Sequence, residues 1–522
     1  MKKLPIGIPG FASLREDGYV YVDKSEYIYY LVQQGKAFFL SRPRRFGKSL
    51  LISTLKAYWE GKKELFAGLK IEKLLADDPE AWKCYPVFHF DFNGTNYQSE
   101  RALDKMLDEH LRRWEKEYEI TDTTGELGER FRNLLIEARN RSGLRCVVLV
   151  DEYDKSLLEA MEKPELEEHN KALFKGFFGT LKGFDEYLQF VFITGVTKFE
   201  KVSIFSDLNQ LRDISLSKEY AGICGITEQE IEENFAEEIA ATAENWDMSI
   251  TECRAKLKSC YDGYHFHPKG EGVYNPFSLL SAFAEKDFGS YWFSTGTPTF
   301  LVRKLKQNGF EVPRLTDGSL YANEADLTDY RADDADPIPL LYQTGYLTIV
   351  DFDRVAREYT LAFPNEEVKY GFLNSLIPEY LPAYGALHGN DVFTLRRYAE
   401  QGNTAGMEKV FTSLFASIPY TNNDPVFEHY FQTVIYLLFV LLGQFTKCEM
   451  HTCLGRIDCV LECTKYIYLF EFKLDKSAEE ALRQIEDMKY ADVYAADPRK
   501  LFKIGVNFSS EERGLTEWRV EE

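Results

Sequence analysis

The sequence lacks the features that mark membrane-spanning and secreted proteins. No apolar run in its 522 residues approaches the roughly 18 residues that a transmembrane helix requires. The stretch from Met1 to Pro5 has no apolar segment of the kind found in a signal peptide. Nine cysteines without such a leader are typical of reduced intracellular thiols. We therefore expect a cytoplasmic protein that has no membrane partner.

Positive charge and low-complexity sequence are also scarce. The formal net charge is −22, which argues against a protein that coats nucleic acid without regard to sequence. Basic residues are nevertheless concentrated locally, because the segment from Arg42 to Trp59 contains five of them and no acidic residue. No low-complexity tract is present, and 45% of the residues are hydrophobic. A chain of this length and composition is expected to fold into two or three domains.

One glycine is missing from an otherwise complete nucleotide-binding pattern. A strand-like apolar run precedes Gly47-Lys48-Ser49, and a helical pattern follows it. This is the context of a phosphate-binding loop, in which Lys48 contacts the β- and γ-phosphates of ATP and the Ser49 hydroxyl binds Mg²⁺. The usual pattern has a glycine where this chain has Arg42.

The loop supplies the residues that we expect to bind nucleotide. They are Arg42, Arg44, Arg45, Phe46, Gly47, Lys48, Ser49 and Leu50. The guanidinium groups of Arg44 and Arg45 are planar and suited to bidentate contacts with phosphate. Sequence alone leaves open whether a loop with arginine at its first position binds ATP tightly but turns it over slowly.

Two acidic residues follow a second predicted strand. Residues 146–150 read Cys-Val-Val-Leu-Val, a continuous apolar run typical of a strand buried on both faces. Carboxylates at the carboxyl end of such a strand lie where ligands bind in open α/β sheets. We expect Asp151 to hold Mg²⁺ and Glu152 to orient or deprotonate the water that attacks ATP. Thr194, at the end of a third strand, is the candidate contact for the γ-phosphate or this water. Lys198 and Arg212 are candidates for stabilising transition-state charge, and the alternative is that both are solvated loop cations.

Residues 11–216 resemble the bacterial AAA-ATPase-like family. The resemblance rests on the segments Tyr21–Lys24, Arg42–Ser49, Val150–Asp154 and Thr194–Phe199. In that family arginine stands at the first glycine of the phosphate loop, so Arg42 matches the family while departing from the general pattern. An extra strand between the loop and Asp151 also suggests the additional-strand class of P-loop ATPases. The resemblance implies ATP hydrolysis.

The middle of the chain, residues 217–423, is mostly helical by pattern. Thr227 is a candidate N-cap for an acidic helix that follows it. His265 and His267 are two residues apart with no nearby cysteine, which favours a structural role over metal binding. The acidic run from Asp333 to Asp336 precedes a proline and is interpreted as a turn and helix cap. The family resemblance implies a helical lid and connecting module.

The sequence pattern of the last hundred residues predicts a helix from Phe427 to Leu442. Three strands are predicted after it, near 445–452, 455–463 and 466–474. Glu471 and Lys473 lie on one face of the third strand, where burial is costly unless the charges are paired or bind an ion. Asp458 on the preceding strand lies beside them in a hairpin. Two carboxylates and a lysine predict a Mg²⁺ site that acts on a phosphodiester.

This arrangement is similar to the PD-(D/E)xK nuclease superfamily. Glu428 matches the acid on the helix that precedes the strands, and the helix around Gln484 resembles the one that often follows the third motif. The alternative is a surface salt bridge on an edge strand. Four nearby cysteines lack a C-x-x-C pair and are interpreted as buried thiols rather than a zinc site: Cys448, Cys453, Cys459 and Cys463.

Together these patterns predict an α/β protein of three parts. Residues 1–216 form a P-loop ATPase domain with a mainly parallel sheet, 217–423 a helical connecting region, and 424–522 an α/β restriction-endonuclease-like domain. The expected cofactors are ATP and Mg²⁺, and the expected substrate is DNA or RNA. The alternative is a nucleotide-gated binding protein whose nuclease-like domain recognises nucleic acid or a protein without cleaving. The oligomeric state is not predicted.

Overall fold

The computed structural model describes residues 2–161, 163–199, 211–293, 299–328, 336–380, 390–416, 427–443, 447–450, 458–512 and 514–522. The chain divides into two compact units. The first comprises Met1–Gly296 and Gly318–Val368, and the second comprises Thr297–Asp317 and Lys369–Glu522. Cys453 and most of the acidic run that begins at Asp333 lie outside the described residues, as do the side chains of Glu428 and Cys448.

Helices occur along the whole length of both units. In chain order they are α1 Phe11–Glu16, α2 Ser25–Gln34, α3 Lys48–Trp59, α4 Lys70–Leu74, α5 Ala102–Glu117, α6 Leu127–Ser142, α7 Lys155–Leu158, α8 Pro164–Phe178, α9 Glu228–Asn234, α10 Ala236–Asn245, α11 Ile250–Tyr261, α12 Pro276–Glu285, α13 Thr299–Gln307, α14 Glu324–Thr328, α15 Ile338–Gln343, α16 Glu366–Tyr380, α17 Asn390–Glu400, α18 Thr404–Ala416, α19 Phe427–Leu442 and α20 Ala478–Asp487. Across the described residues, none of these helices has both the length and the apolar character that crossing a bilayer demands.

A five-stranded parallel sheet forms the centre of the first unit. Its strands are β1 Ala37–Ser41, β2 Val87–Asp91, β3 Cys146–Asp151, β4 Leu188–Gly195 and β5 Arg212–Asp213. They lie in the order β2-β3-β4-β1-β5, and all neighbours are parallel. Every side chain of β3 is buried, which explains its continuous apolar run. The predicted α/β class is confirmed, and β4 separates the strand before the phosphate loop from the strand that ends at Asp151.

A second, antiparallel sheet of the first unit was missed by the prediction of a helical middle region. It consists of β6 Leu320–Ala322, β7 Thr348–Asp353 and β8 Glu358–Ala362, in the order β6-β8-β7. The side chains of β8 alternate between exposed and buried, as expected for a strand with one solvated face. The strands are short, and helices separate β6 from β7, so alternation over so few residues is a weak signal.

Three local features of the first unit concern an extended segment and two helix starts. Residues 18–24 form no strand and make a single bridge, between Tyr19 and Lys3. Ser25 is the first residue of α2, and its Oγ accepts a hydrogen bond from the N–H of Ile71. Thr227 is confirmed as the N-cap of α9, in a reciprocal capping box with Glu230.

The second unit is built on a mixed five-stranded sheet. Its strands are β9 Lys447–Met450, β10 Cys459–Glu462, β11 Tyr466–Leu474, β12 Lys500–Ser509 and β13 Gly514–Glu521, in the order β13-β12-β11-β10-β9. Only β11 and β12 pair in parallel among these strands, with α20 as part of the connection between them. The predicted limits of α19 and β11 agree with the structure, whereas β12 and β13 were not predicted.

Close packing of α20 on the sheet depends on one glycine. Gly505 of β12 pairs with Glu471 of β11 in the parallel register. A side-chain carbon added to Gly505 would lie 2.2 Å from the carbonyl oxygen of Ala478 and 2.9 Å from Cγ of Leu482, both in α20. Any larger residue would therefore force the helix away from the sheet.

Candidate functional sites

The phosphate loop ends where α3 begins. Gly47 precedes the helix with a φ of 91°, a left-handed conformation that favours glycine. Residues 44–50 line a cavity of about 690 Å³, so the N-terminus of α3, whose first N–H groups have no partner within the helix, lies at its wall. Lys48 is almost fully buried, and its Nζ donates hydrogen bonds to the carbonyls of Arg42 at 2.9 Å and Pro43 at 3.0 Å. The ammonium group is thus held by the loop's own carbonyls.

Arg42 is placed inside the protein rather than among the residues that line this cavity. Its side chain is 1% exposed. Nη1 donates to the carbonyls of Ser41 and Ser215, each at 2.8 Å, and Nη2 donates to that of Tyr220 at 3.1 Å. The guanidinium carbon lies 3.8 Å from the ring centroid of Phe266, and burial lowers the pKa of the arginine. Arg42 therefore anchors the loop to distant segments of the first unit.

The other two loop arginines are exposed and line the cavity. Arg45 has a φ of 67°, and its guanidinium carbon lies 4.9 Å from the ring centroid of Phe277. Phe46 is buried, with its ring 4.7 Å from that of Tyr264 in an edge-to-face contact. The loop is thus pinned to the core by Phe46, while Arg44 and Arg45 remain accessible from the cavity.

Asp151 and Glu152 line the same cavity from the carboxyl end of β3. The hydroxyl of Thr194 donates to Asp151 Oδ1 at 2.7 Å and accepts a long hydrogen bond from the N–H of Glu152 at 3.4 Å. Thr194 is fully buried behind Asp151 and does not line the cavity. Glu152 has a φ of 53°, which is uncommon outside glycine, and burial raises the pKa of its carboxyl against the opposing effect of Lys48.

Asp154 and Tyr153 brace the ends of β3 and β4, a role that was not predicted. The buried carboxylate of Asp154 accepts hydrogen bonds from the N–H groups of Val196 and Thr197 and from the hydroxyl of Thr197. The Tyr153 hydroxyl donates to the Thr197 carbonyl at 2.9 Å. These bonds fix the segment after Thr194 relative to the segment after Asp151. The residues joined by these bonds lie more than 40 positions apart in the sequence, so motif spacing could not predict the bonds.

The remaining loop cations are paired outside the cavity. The ammonium group of Lys198 lies 3.1 Å from the carboxylate of Asp213. Nη1 of Arg212 donates to Oε1 of Gln34 at 2.8 Å. Neither cation lines the 690 Å³ cavity; Lys198 instead lines a separate small pocket beside Arg42 and Pro43.

Segments that were not assigned to the site complete the cavity wall. Residues 5, 7–10, 20–22 and 24 line it from the N-terminal segment. Residues 223–226 line it from the loop before α9, and Phe277 and Leu280 line it from α12. Most of these side chains are apolar, as a nucleobase site requires. His89, Asp91 and Asn93 add polar groups from the end of β2.

An adenine nucleotide with Mg²⁺ fits the chemistry of this cavity. Its volume lies within the range of about 300–1,000 Å³ typical of ligand sites. Apolar walls suit the base, while Lys48, two exposed arginines and a helix N-terminus suit the phosphates. The oxygens of Ser49 and Asp151 are the hard donors that Mg²⁺ prefers.

Asp458, Glu471 and Lys473 come together on β11 and at the start of β10 in the second unit. Nζ of Lys473 donates to Glu471 Oε1 at 2.9 Å and to Gln484 Oε1, in α20, at 2.6 Å. The N–H of Phe472 donates to Asp458 Oδ2 at 2.9 Å. Glu471 is 1% exposed, and its Oε2 is buried without a hydrogen-bond partner in the described part of the chain. The predicted grouping of acids, lysine and glutamine is therefore present geometrically.

The electrostatics of this cluster suit a cation. Burial raises the pKa of Glu471, and the neighbouring Asp458 raises it further. Burial also raises the pKa of Asp458. Two repelling carboxylates, one with an orphaned buried oxygen, are the chemistry that Mg²⁺ would stabilise. Among the described side chains no group of three His, Cys, Asp or Glu converges as a metal site, so the described ligand set is these two carboxylates.

Comparisons with known proteins match a family to each of the two regions that contain these candidate sites. Residues 5–205 match the AAA-ATPase-like family, described as a predicted AAA-ATPase, and residues 426–518 match the PD-(D/E)XK nuclease superfamily. The chain is 37% identical over 530 residues to an uncharacterized protein in the vnfD 5' region of Azotobacter chroococcum mcd 1, covering 100% of this chain and 99% of that protein. The Aeropyrum pernix ORC2 protein, solved as ADPNP-ADP complexes, matches 68% of this chain and 93% of its own at 10% identity. Its TM-score of 0.26 is too low to bear on fold or function.

Proposed function

Because the chain belongs to the AAA-ATPase-like family and ends in a PD-(D/E)XK nuclease-superfamily domain, we propose that it hydrolyses ATP and couples this to Mg²⁺-dependent cleavage of DNA or RNA. The observation that carries the proposal is that Lys48, Ser49, Asp151 and Glu152 line one cavity of about 690 Å³. A lysine and hydroxyl at a helix N-terminus opposite two carboxylates is the set of groups that phosphoryl transfer needs.

In the proposed ATPase site each residue has one role. Lys48 leaves the carbonyls of its own loop and binds the β- and γ-phosphates. Ser49 and Asp151 hold Mg²⁺, which neutralises phosphate charge when bound. Glu152 orients the attacking water and accepts its proton, and the burial that raises its pKa makes it a stronger base. Thr194 holds the Asp151 carboxylate in one orientation.

In the proposed nuclease site the carboxylates of Asp458 and Glu471 hold Mg²⁺, with Glu428 as a further ligand. When bound, the metal would polarise the phosphodiester and lower the pKa of the water bound to it. Lys473 is fixed between Glu471 and Gln484, so its ammonium group is positioned to stabilise negative charge that develops on the phosphate.

The ATPase assignment is tested with Lys48→Ala in the full chain. We expect hydrolysis to fall by about 10²–10³-fold, because a cation that stabilises transition-state charge is lost. Lys56→Ala is the matched control, since Lys56 is in the same helix but pairs with Glu60 on the surface. Hydrolysis that persists in Lys48→Ala would reject the site.

The nuclease assignment is tested with the double variant Glu471→Ala, Lys473→Ala. Single- and double-stranded DNA and RNA are incubated with and without Mg²⁺ and ATP, and products are counted on gels. The matched control is Glu486→Ala, Lys503→Ala, which removes a partly exposed ion pair between the same helix and sheet. Cleavage should need Mg²⁺ and disappear only in the first variant. If wild type binds ATP but cleaves no substrate under any condition, the nuclease assignment is wrong.

A second candidate function is nucleotide-gated binding without cleavage. Residues 471–492 contain seven acidic and four basic residues, a balance that disfavours approach of a phosphate backbone. The described metal ligand set is also limited to two carboxylates. ATP-dependent retention of nucleic acid in a mobility-shift assay, without products, would favour this function.

A further inference from the structure

Two hydrogen bonds, one partly buried and one buried, connect the phosphate loop to the start of α16. The indole Nε1 of Trp292 donates to the carbonyl of Arg44 at 3.0 Å. The main-chain N–H of Trp292 donates to Glu367 Oε1 at 2.7 Å. Trp292 is 1% exposed and Glu367 is 8% exposed, so little water competes for these bonds. We call these three residues, Arg44, Trp292 and Glu367, the Trp292 bridge; all of them lie in the first unit.

The surroundings of the bridge hold its tryptophan in one position. The indole ring packs edge-on against Tyr346, with ring centroids 5.2 Å apart. Glu367 also accepts from the N–H groups of Tyr291 and Phe293, so one carboxylate holds three consecutive amides. Burial raises the pKa of Glu367 to about 7 despite these donors. Displacing Trp292 would break its bonds at both ends together, and tightly packed elements of this kind move between discrete arrangements rather than by gradual deformation.

Glu367 belongs to the first turn of α16, and this helix leads from the first unit into the second. The Asn365 side chain accepts from the N–H of Val368 and donates to the carbonyl of Asp262, which ties the helix start to the end of α11. Lys256 of α11 also pairs with Glu366 at 3.0 Å. The boundary between the units follows Val368, so the helix that the bridge holds continues into the nuclease-like unit.

We propose that Trp292 transmits the nucleotide occupancy of the phosphate loop to α16 and thereby regulates the nuclease site. This inference rests on the proposed function, because it requires ATP to bind at Lys48. The side chain of Arg44 lines the nucleotide cavity, while its carbonyl is held by Trp292. A phosphate that draws in the Arg44 side chain therefore shifts the carbonyl on which the bridge depends. By linkage, nucleic acid bound to the second unit must change the affinity for ATP by the same factor.

The test compares Trp292→Phe with Trp246→Phe in the full chain. Trp292→Phe keeps an aromatic ring but removes the indole N–H. Trp246→Phe makes the same change at a residue that does not line the cavity, where Nε1 donates to the carbonyl of Lys286 at 3.1 Å. Hydrogen exchange of residues 366–380 is measured with and without ATP and Mg²⁺, and ATP binding is measured separately by calorimetry. We expect ATP to change exchange in α16 about fivefold in wild type and Trp246→Phe, the factor to which one net hydrogen bond corresponds.

In Trp292→Phe the response of α16 should vanish while ATP still binds. An unchanged α16 response in a variant that binds ATP overturns the inference alone, whereas wild type that binds no ATP overturns the proposed function as well. If Trp292→Phe does not fold, Glu367→Gln is used instead to test the coupling between the phosphate loop and α16. Its neutral amide weakens the acceptor for three N–H groups, so the α16 response should fall at least about twofold, and a full response overturns the inference.

Discussion

Replacing Arg42 distinguishes an anchoring residue from a phosphate contact, because the two roles predict opposite results. The structure shows three hydrogen bonds from the Arg42 guanidinium to main-chain carbonyls and a stacking contact with Phe266. Arg42→Ala removes all of them and leaves buried carbonyl oxygens without this donor. We therefore expect the free energy of unfolding of the first unit to fall while ATP affinity is nearly unchanged.

The expected loss in the free energy of unfolding follows from the contacts that Arg42 makes. A hydrogen bond from a charged donor contributes about 1.5–3 kcal/mol, so three of them outweigh any single neutral bond of the loop. Burying the guanidinium offsets part of this gain, and its cost is reflected in the lowered pKa of Arg42. The net loss expected for Arg42→Ala is about 3–5 kcal/mol, the range seen when one partner of a buried charged group is removed.

The assay is urea unfolding of the full chain, with hydrogen exchange in β1 assigning the transition to the first unit. ATP dissociation constants are measured where each variant is folded. Arg44→Ala is the control, because this exposed arginine lines the cavity and should change stability by less than about 1 kcal/mol while weakening ATP binding. If Arg42→Ala weakens ATP binding tenfold or more without a change in unfolding midpoint, the anchoring role is refuted.

Three further substitutions test the chemistry of both sites. Glu152→Gln should leave the ATP dissociation constant within about threefold and lower hydrolysis about 10²–10³-fold, because the base is lost but the cavity is not; equal losses in both would contradict this role. Thr194→Val removes the hydroxyl that donates to Asp151, and the Mg²⁺ concentration for half-maximal hydrolysis should rise about fivefold; an unchanged value would show that Asp151 needs no such support. The raised pKa of Glu471 means that the folded protein without metal binds this proton more tightly than the unfolded chain. The contribution to stability is therefore complete at low pH and lost as pH rises, so Glu471→Gln should be more stabilising at pH 8 than at pH 4 in urea titrations with EDTA. A pH-independent effect would contradict the raised pKa.

Much of the first unit could be predicted from local patterns. Asp151 ends one continuous apolar strand, and the phosphate loop that leads to Lys48 follows another; both strands belong to a parallel sheet in which such ends meet at one edge. The role of Arg42 could not be predicted in this way. Its partner Tyr220 lies 178 residues further along the chain, and nothing in the spacing of a loop arginine distinguishes a phosphate contact from a buried anchor.

In the second unit, charged residues within an apolar strand led to Asp458, Glu471 and Lys473, because burying such groups is costly without a reason. Strand β12 gave a weaker signal, since it contains Gly505 and Asn507, which are depleted in strands. Both faces of β12 are covered along most of its length, so the alternation that marks a half-exposed strand is absent. The walls that residues 5, 7–10 and α12 give to the cavity were missed because apolar segments carry no chemical motif.

The contact between Gly505 and α20 has a consequence for how relatives of this protein should be compared. Position 505 lies beside Glu471, and the helix that it admits carries Gln484, which holds Lys473. A larger residue at 505 would displace that helix and release the lysine while every acidic and basic residue of the site stayed in the sequence. A search for motif residues alone would then identify an inactive relative as a nuclease, whereas the residue at position 505 would distinguish inactive relatives from active ones.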